Sequence, residues 1–214
     1  MGSTSMDIQG TANIDFLFGD VTSDRIFAAA GNDYAFGGGG NDRIYGQDGN
    51  DSLFGQAGSD RLYGGNGSDS LYGYTGNDIL VGGAGDDVIN GAGFAYDDST
   101  SPQSFGDGDF DILTGGIGRD TFELWGGSAR SGVNVYYDSG STSDYALITD
   151  FNTNEDSISL AAGFNYSLGA SPSNLPSGTA IYLDNGGTNE LIAILQNIAP
   201  DTISLNNTDY FTYG

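Results

Sequence analysis

The sequence predicts an all-β chain: a solenoid of short parallel strands over residues 10–123, closed by an antiparallel β-rich cap over residues 124–214. Three observations predict it. A nine-residue pattern repeats in register, it places Asp sixth and an apolar residue eighth, and 37 of the 214 residues are glycine. Glycine and aspartate are both poor strand formers. A rhythm that demands both describes turns separated by very short strands.

Aligned in nines from Gly10, the chain reads GTANIDFLF, GDVTSDRIF, AAAGNDYAF, GGGGNDRIY, GQDGNDSLF, GQAGSDRLY, GGNGSDSLY, GYTGNDILV and GGAGDDVIN, ending at Asn90. A tenth line starts as GAGFAY and loses the pattern at Tyr96; GDGDFDILT and GGIGRDTFE then resume it from Gly106 to Glu123. The sixth position of all eleven complete lines is Asp: Asp15, Asp24, Asp33, Asp42, Asp51, Asp60, Asp69, Asp78, Asp87, Asp111 and Asp120. The eighth is apolar in every one, from Leu17 and Ile26 to Leu113 and Phe122. A Gly-rich flexible linker would not keep such register.

Each line divides into two parts. Its first six residues make a turn in which glycine supplies positive φ and close backbone approach. Its last three, such as Arg43-Ile44-Tyr45, alternate out-in-out as a strand. Two lines close one coil, and coils stack at the ~4.8 Å strand spacing. Asp15, Asp33, Asp51, Asp69 and Asp87 then line one edge, and Asp24, Asp42, Asp60 and Asp78 the other. Carboxylates ~5 Å apart repel by ~1 kcal/mol in water and ~3 kcal/mol at an effective dielectric of ~20. One buried aliphatic side chain per line contributes only ~1.5–3 kcal/mol. A cation between the coils removes the repulsion.

These lines resemble the GGxGxDxUx nonapeptide (U apolar) of the RTX, or repeats-in-toxin, family, whose repeat binds Ca²⁺. Gly37–Tyr45 and Gly82–Asn90 match it at every fixed position, whereas the first two lines carry Asn13 and Thr22 at the fourth position and the third begins with Ala28. The resemblance implies a right-handed parallel β-roll. The candidate metal ligands are the eleven sixth-position Asp and turn carbonyls, marked at the fourth position by Gly31, Gly40, Gly49, Gly58, Gly67, Gly76, Gly85 and Gly118. Flexible all-oxygen coordination favours calcium over magnesium. The gaps between stacked Asp give about seven Ca²⁺ sites in the unbroken block, with more from Asp111 and Asp120.

Composition bounds the function. The formal charge is −24, and all five basic residues are Arg. Nucleic acid and anionic membrane surfaces would be repelled. Without Cys or His, disulfides, thiolate sites, most zinc sites and His-based triads are excluded, and no enzymatic activity is expected in this chain. MGSTSMDIQGTANIDF has neither a basic nor an apolar signal-peptide region, and no apolar run reaches membrane-spanning length. Asp107-Gly108-Asp109-Phe110-Asp111 begins like an EF-hand loop, but Ile112 stands where Gly is required. The glycine clusters lack the strand–helix context of a dinucleotide fingerprint. The third positions contain no Thr ladder of the kind ice-binding β-rolls use.

Ninth positions are aromatic in seven consecutive lines: Phe18, Phe27, Phe36, Tyr45, Phe54, Tyr63 and Tyr72. They read as outward rows stacking along each sheet, with a platform for sugar rings or a surface partner as the second reading. Arg25, Arg43 and Arg61 recur on one face and offset the acidic edges.

Residues 1–9 read as an N-terminal extension and 94–105 as a loop bulging from the roll, where Asp97 or Asp98 replaces the missing sixth-position Asp. Beyond Leu124 the rhythm stops. Val133–Tyr137, Tyr145–Asp150, Ser157–Leu160, Thr179–Asp184 and Glu190–Leu195 read as strands, the last two joined by Asn185-Gly186-Gly187. ALITDFNTNEDSISL resembles the segment that follows the roll in RTX exoproteins, and SLNNTDYFTYG fits an uncleaved C-terminal signal for type I secretion. The expectation is a secreted bacterial calcium-binding module that folds on Ca²⁺ and is exported by the type I secretion machinery. The C-terminal part of a larger secreted enzyme, acting on protein or polysaccharide, and a calcium-dependent adhesion module are the alternatives.

Overall fold

The computed structural model describes residues 4–92, 109–126, 134–135, 145–184, 186 and 189–213. The chain is all-β. Strands β1 (Asp7–Gln9) and β2 (Phe16–Phe18) precede seven six-residue strands: β3 (Arg25–Ala30), β4 (Tyr34–Gly39), β5 (Arg43–Asp48), β6 (Ser52–Ala57), β7 (Arg61–Asn66), β8 (Ser70–Thr75) and β9 (Ile79–Ala84). β10 (Val88–Asn90), β11 (Phe110–Ile117) and β12 (Thr121–Glu123) complete the repeat region. Odd-numbered strands build one sheet and even-numbered strands the other, every pairing here being parallel. This is a parallel β-roll.

Register follows the eighth position. Ile26 pairs with Ile44, Ile44 with Leu62 and Leu62 with Leu80, while Ala35, Leu53 and Leu71 align in the facing sheet. All of these side chains are buried. Across the insertion Leu80 pairs with Leu113 and Ile89 with Phe122. The strand-to-strand offset there is 33 residues instead of 18, yet the same repeat positions meet. The loop reading of 94–105, with Asp97 and Asp98, lies outside the described residues.

The two sheets do not end with the repeats. β1, within the segment read as an N-terminal extension, pairs with β3 and adds a half-coil whose eighth position is Ile8. At the other end β15 (Tyr145–Ile148) pairs in parallel with β11, and β16 (Ser157–Leu160) with β12. β19 (Asn189–Gln196) continues the first sheet in parallel and β20 (Phe211–Tyr213) the second. The antiparallel part of the cap is β17 (Tyr166–Ala170), β18 (Gly178–Asp184) and β19. β13 (Trp125–Gly126) and β14 (Asn134–Val135) form a separate antiparallel pair. Of the expected Val133–Tyr137 strand, only residues 134–135 fall among those described, and turn residues 185 and 187 lie outside them.

Phe122, Phe151, Ile158, Leu160, Tyr210 and Phe211 continue the roll's interior into the cap, so one apolar core runs the length of the molecule. Tyr145, Leu147, Ala180, Leu191 and Ile194 form a second, smaller cluster.

Candidate metal edges

The glycine turns place the aspartates. In the seven lines from Ala28 to Asn90 and in the line from Gly115, second and fourth positions both take left-handed φ, as at Gly38 (101°) with Gly40 (99°), or Gln47 (79°) with Gly49 (131°). An ideal Cβ on Gly49 would strike the Gly31 carbonyl of the coil before it. Only glycine fits this stacking at the fourth position. The aspartate two residues later is thereby turned inward, and Asp33, Asp42, Asp51, Asp60, Asp69, Asp78, Asp87 and Asp120 are all at most 1% exposed, as are Asp24 and Asp111 in turns of other construction.

One carboxylate oxygen of each Asp is pinned. Oδ1 of Asp33 accepts from the Asp15 N–H at 2.7 Å, Asp51 Oδ1 from Asp33 at 2.8 Å, and Asp69 Oδ1 from Asp51 at 2.8 Å. Asp87 and Asp120 extend this edge. On the other edge Asp42 accepts from Asp24, Asp60 from Asp42, Asp78 from Asp60 and Asp111 from Asp78, at 2.7–2.8 Å.

The other oxygen has no donor. Oδ2 of Asp33, Asp42, Asp51, Asp60, Asp69, Asp78, Asp87 and Asp120 is buried without a hydrogen-bond partner. For six of the eight, a carbonyl oxygen and this Oδ2 lie within contact of the same missing Cβ. A Cβ on Gly46 would meet both Asp51 Oδ2 and the Gly64 carbonyl of the next coil, and the same arrangement recurs at Gly37, Gly55, Gly64, Gly73 and Gly82, and at Gly19 beside Asp24, whose Oδ2 also accepts the Asp20 N–H. The missing Cβ leaves a cradle lined by a carboxylate oxygen and a carbonyl oxygen. Such a donor set suits a hard cation. The carbonyls that flank it belong to first-position glycines, whereas the fourth-position carbonyls of Gly31, Gly40, Gly49, Gly58 and Gly67 abut the fourth-position glycine one coil on. Among the described residues no three acidic side chains converge as a metal cluster, so an ion here takes backbone oxygen as well.

Burial pushes these carboxyls above the usual range. Asp42 and Asp120 rise to about 6, and Asp60, Asp69 and Asp87 to about 7. Asp78 rises further through burial and then the adjacent Asp111. In each case the neighbouring acids add a smaller contribution in the same direction.

A second ladder escaped the sequence reading. Fifth-position side chains accept backbone N–H bonds in the opposite sense: Asn50 N–H donates to Asn32 Oδ1, Ser68 N–H to Asn50 Oδ1 and Asp86 N–H to Ser68 Oγ. Asn41, Ser59 and Asn77 repeat it on the other edge. Its signal was present as the small polar residue preceding most of the aspartates. Asp156 was also missed. Its Oδ1 accepts from Asp120 N–H at 3.1 Å, which makes FNTNEDSIS at 151–159 a twelfth line with Ile158 buried at its eighth position.

The ninth-position rings stack as expected. Phe18–Phe36–Phe54–Tyr72 and Phe27–Tyr45–Tyr63 run along the two sheets at centroid separations of 4.7–5.3 Å and within 11° of parallel. Ring faces inside each row are covered by neighbouring rings, which leaves edges for solvent instead of a flat platform for sugars. Arg25, Arg43 and Arg61 are adjacent in register, and Arg25 pairs with Asp7 at 2.7 Å. Both partners are more than half exposed, so the pair contributes ~1 kcal/mol at most. No helix among the described residues is long and apolar enough to cross a membrane.

The RTX calcium-binding nonapeptide repeat matches this chain in four copies, at residues 7–35, 36–71, 63–95 and 105–128, together more than half its length. No curated protein sequence matches it. Among solved structures, the AlgE6R3 subunit of the Azotobacter vinelandii mannuronan C5-epimerase is similar at 27% identity, over 77% of this chain and 78% of that one, with a TM-score of 0.31. Extracellular lipase LipA of Serratia marcescens is 17% identical over 100% of this chain and 40% of its own, with a TM-score of 0.25.

Proposed function

Because the chain belongs to the RTX calcium-binding nonapeptide-repeat family, we propose that it is a secreted module whose β-roll folds when Ca²⁺ enters its two edges. The observation that carries this reading is the set of eight buried Oδ2 atoms without a donor. Those aspartates, with turn carbonyls such as Gly55 and Gly64, would hold the ions. When bound, calcium supplies the positive charge that the protein's own groups do not.

A buried charge left unpaired costs several kcal/mol, and a domain's whole stability is about 5–15 kcal/mol. Eight such groups exceed the net stability that the two rows of eighth-position side chains leave. Binding free energy therefore becomes folding free energy. In low cytosolic calcium the charged edges keep the chain expanded and competent for type I export, and millimolar external calcium folds it. Tyr210 and Phe211 are buried in the folded chain, so a C-terminal export signal would be legible only before folding. Catalysis is not assigned to these residues. If they are part of a larger secreted enzyme, the chemistry belongs elsewhere in that polypeptide.

A calcium titration followed by far-UV circular dichroism, with magnesium as control, tests this. The expected result is a disordered spectrum in excess EDTA and a cooperative gain of strand signal with calcium alone. A folded spectrum in EDTA would overturn the proposal.

A further inference from the structure

Among the turns described in full, two kinds carry the aspartates, and they treat Oδ2 oppositely. In the glycine turns already described, two left-handed residues leave Oδ2 without a donor. In three others neither residue is left-handed, and the turn closes on its own aspartate. Thr11 donates both N–H and Oγ1–H to Asp15 Oδ2, at 2.6 and 2.8 Å, while Asn13 N–H donates to Thr11 Oγ1. Asp20 N–H donates to Asp24 Oδ2 at 2.9 Å, while Thr22 N–H donates to Asp20 Oδ1. Asn152 N–H donates to Asp156 Oδ2 at 2.8 Å, while Asn154 N–H donates to Asn152 Oδ1. The construction is the same each time. A polar residue four before the aspartate gives it an N–H, and that residue's own side chain braces the loop.

The three closed turns fall at the ends of the ladders. Asp15 and Asp24 are the first acids on the two edges, and Asp156 is the last on its edge. β1 and β20 lie beyond Asp24 and Asp156 in their sheets, so what these ends lack is the two-residue left-handed turn and not a neighbouring strand. Amide donors aimed at Oδ2 satisfy the terminal carboxylate instead, and they put partial positive charge where a cation would sit. Solenoids require closed ends.

We propose that Asp15, Asp24 and Asp156 are metal-free end caps of the calcium ladder, and that Asp33, Asp42, Asp51, Asp60, Asp69, Asp78, Asp87 and Asp120 take the ions. This rests on the calcium reading above and divides its candidate ligands by turn type.

The test counts Ca²⁺ bound per full-length chain, by equilibrium dialysis and native mass spectrometry, with circular dichroism reporting the fold. Asp15→Ala, Asp24→Ala and Asp156→Ala should lower the thermal midpoint and leave the ion count unchanged. Asp51→Ala and Asp60→Ala should each remove at least one ion. The reverse variant, Asp20→Gly with Thr22→Gly, installs the two-glycine turn around Asp24 and should add at least one. Loss of an ion from folded Asp15→Ala or Asp24→Ala, or no gain in the double-glycine variant, would overturn the proposal. A wild-type chain that binds no calcium would instead overturn the calcium reading, before any variant is compared.

Discussion

Gln47 and Gln56 stand where other lines carry a second glycine, and both hold left-handed backbone, with φ of 79° and 76°. A residue with a Cβ loses roughly 1–2 kcal/mol there, part of which glycine gives back as unfolded-state entropy. Gln47→Gly and Gln56→Gly should each stabilise the calcium-saturated protein by about 1 kcal/mol in denaturant titrations; destabilisation would contradict the turn geometry. Gly49→Ala should do the reverse, costing about 3 kcal/mol or more, because its Cβ would fall on the Gly31 carbonyl. Ala28 teaches a related point. Although it replaces a first-position glycine, its line keeps both left-handed residues, at Ala29 and Gly31. The substitutions that change the turn are those at the second and fourth positions, Thr11 with Asn13 and Asp20 with Thr22.

The first three residues of each six-residue repeat strand alternate out-in-out, the strand running on into the next turn, so inner and outer faces can be tested apart. Leu62→Ala removes a fully buried side chain between Ile44 and Leu80 and should cost about 2–5 kcal/mol. Tyr45→Ala breaks an outer row between Phe27 and Tyr63, losing about 0.5–1.5 kcal/mol of stacking beyond its area burial. Denaturation in saturating calcium should rank them in that order, with the ions bound per chain unchanged in the second. The repeat strands were legible because register, inward residue and turn are all written in nine positions. The cap was less so. Ser157–Leu160 is found as expected, but a strand's own residues do not say whether its neighbour runs parallel, and β15 and β16 prolong the roll's sheets. The twelfth line stayed hidden because Phe151 and Asn154 stand where the repeat has glycine. β17 went unread because Tyr166–Ala170 is partly exposed along its length, without clean alternation.

For the whole molecule, the raised carboxyl pKa values couple folding to pH. A carboxyl whose folded value lies above the ordinary ~3.9 binds protons more tightly when folded. Its contribution to the metal-free roll is fully present below about pH 4 and is lost as pH rises through about 6 and 7, the values of Asp42 and Asp60. Without calcium, circular dichroism should therefore show more strand structure at pH 4 than at pH 8, and no difference would contradict the burial of these groups. With calcium, protons compete for the same oxygens, so the calcium midpoint should rise as pH falls below 7.

The most direct test of the central claim is amide hydrogen exchange across residues 34–90 at neutral pH, with calcium and after exhaustive chelation. Strong protection of the strand amides in calcium and its loss throughout the segment on chelation is the predicted result. Equal protection in both would show that the stacked carboxylates hold without a cation, and would contradict the account.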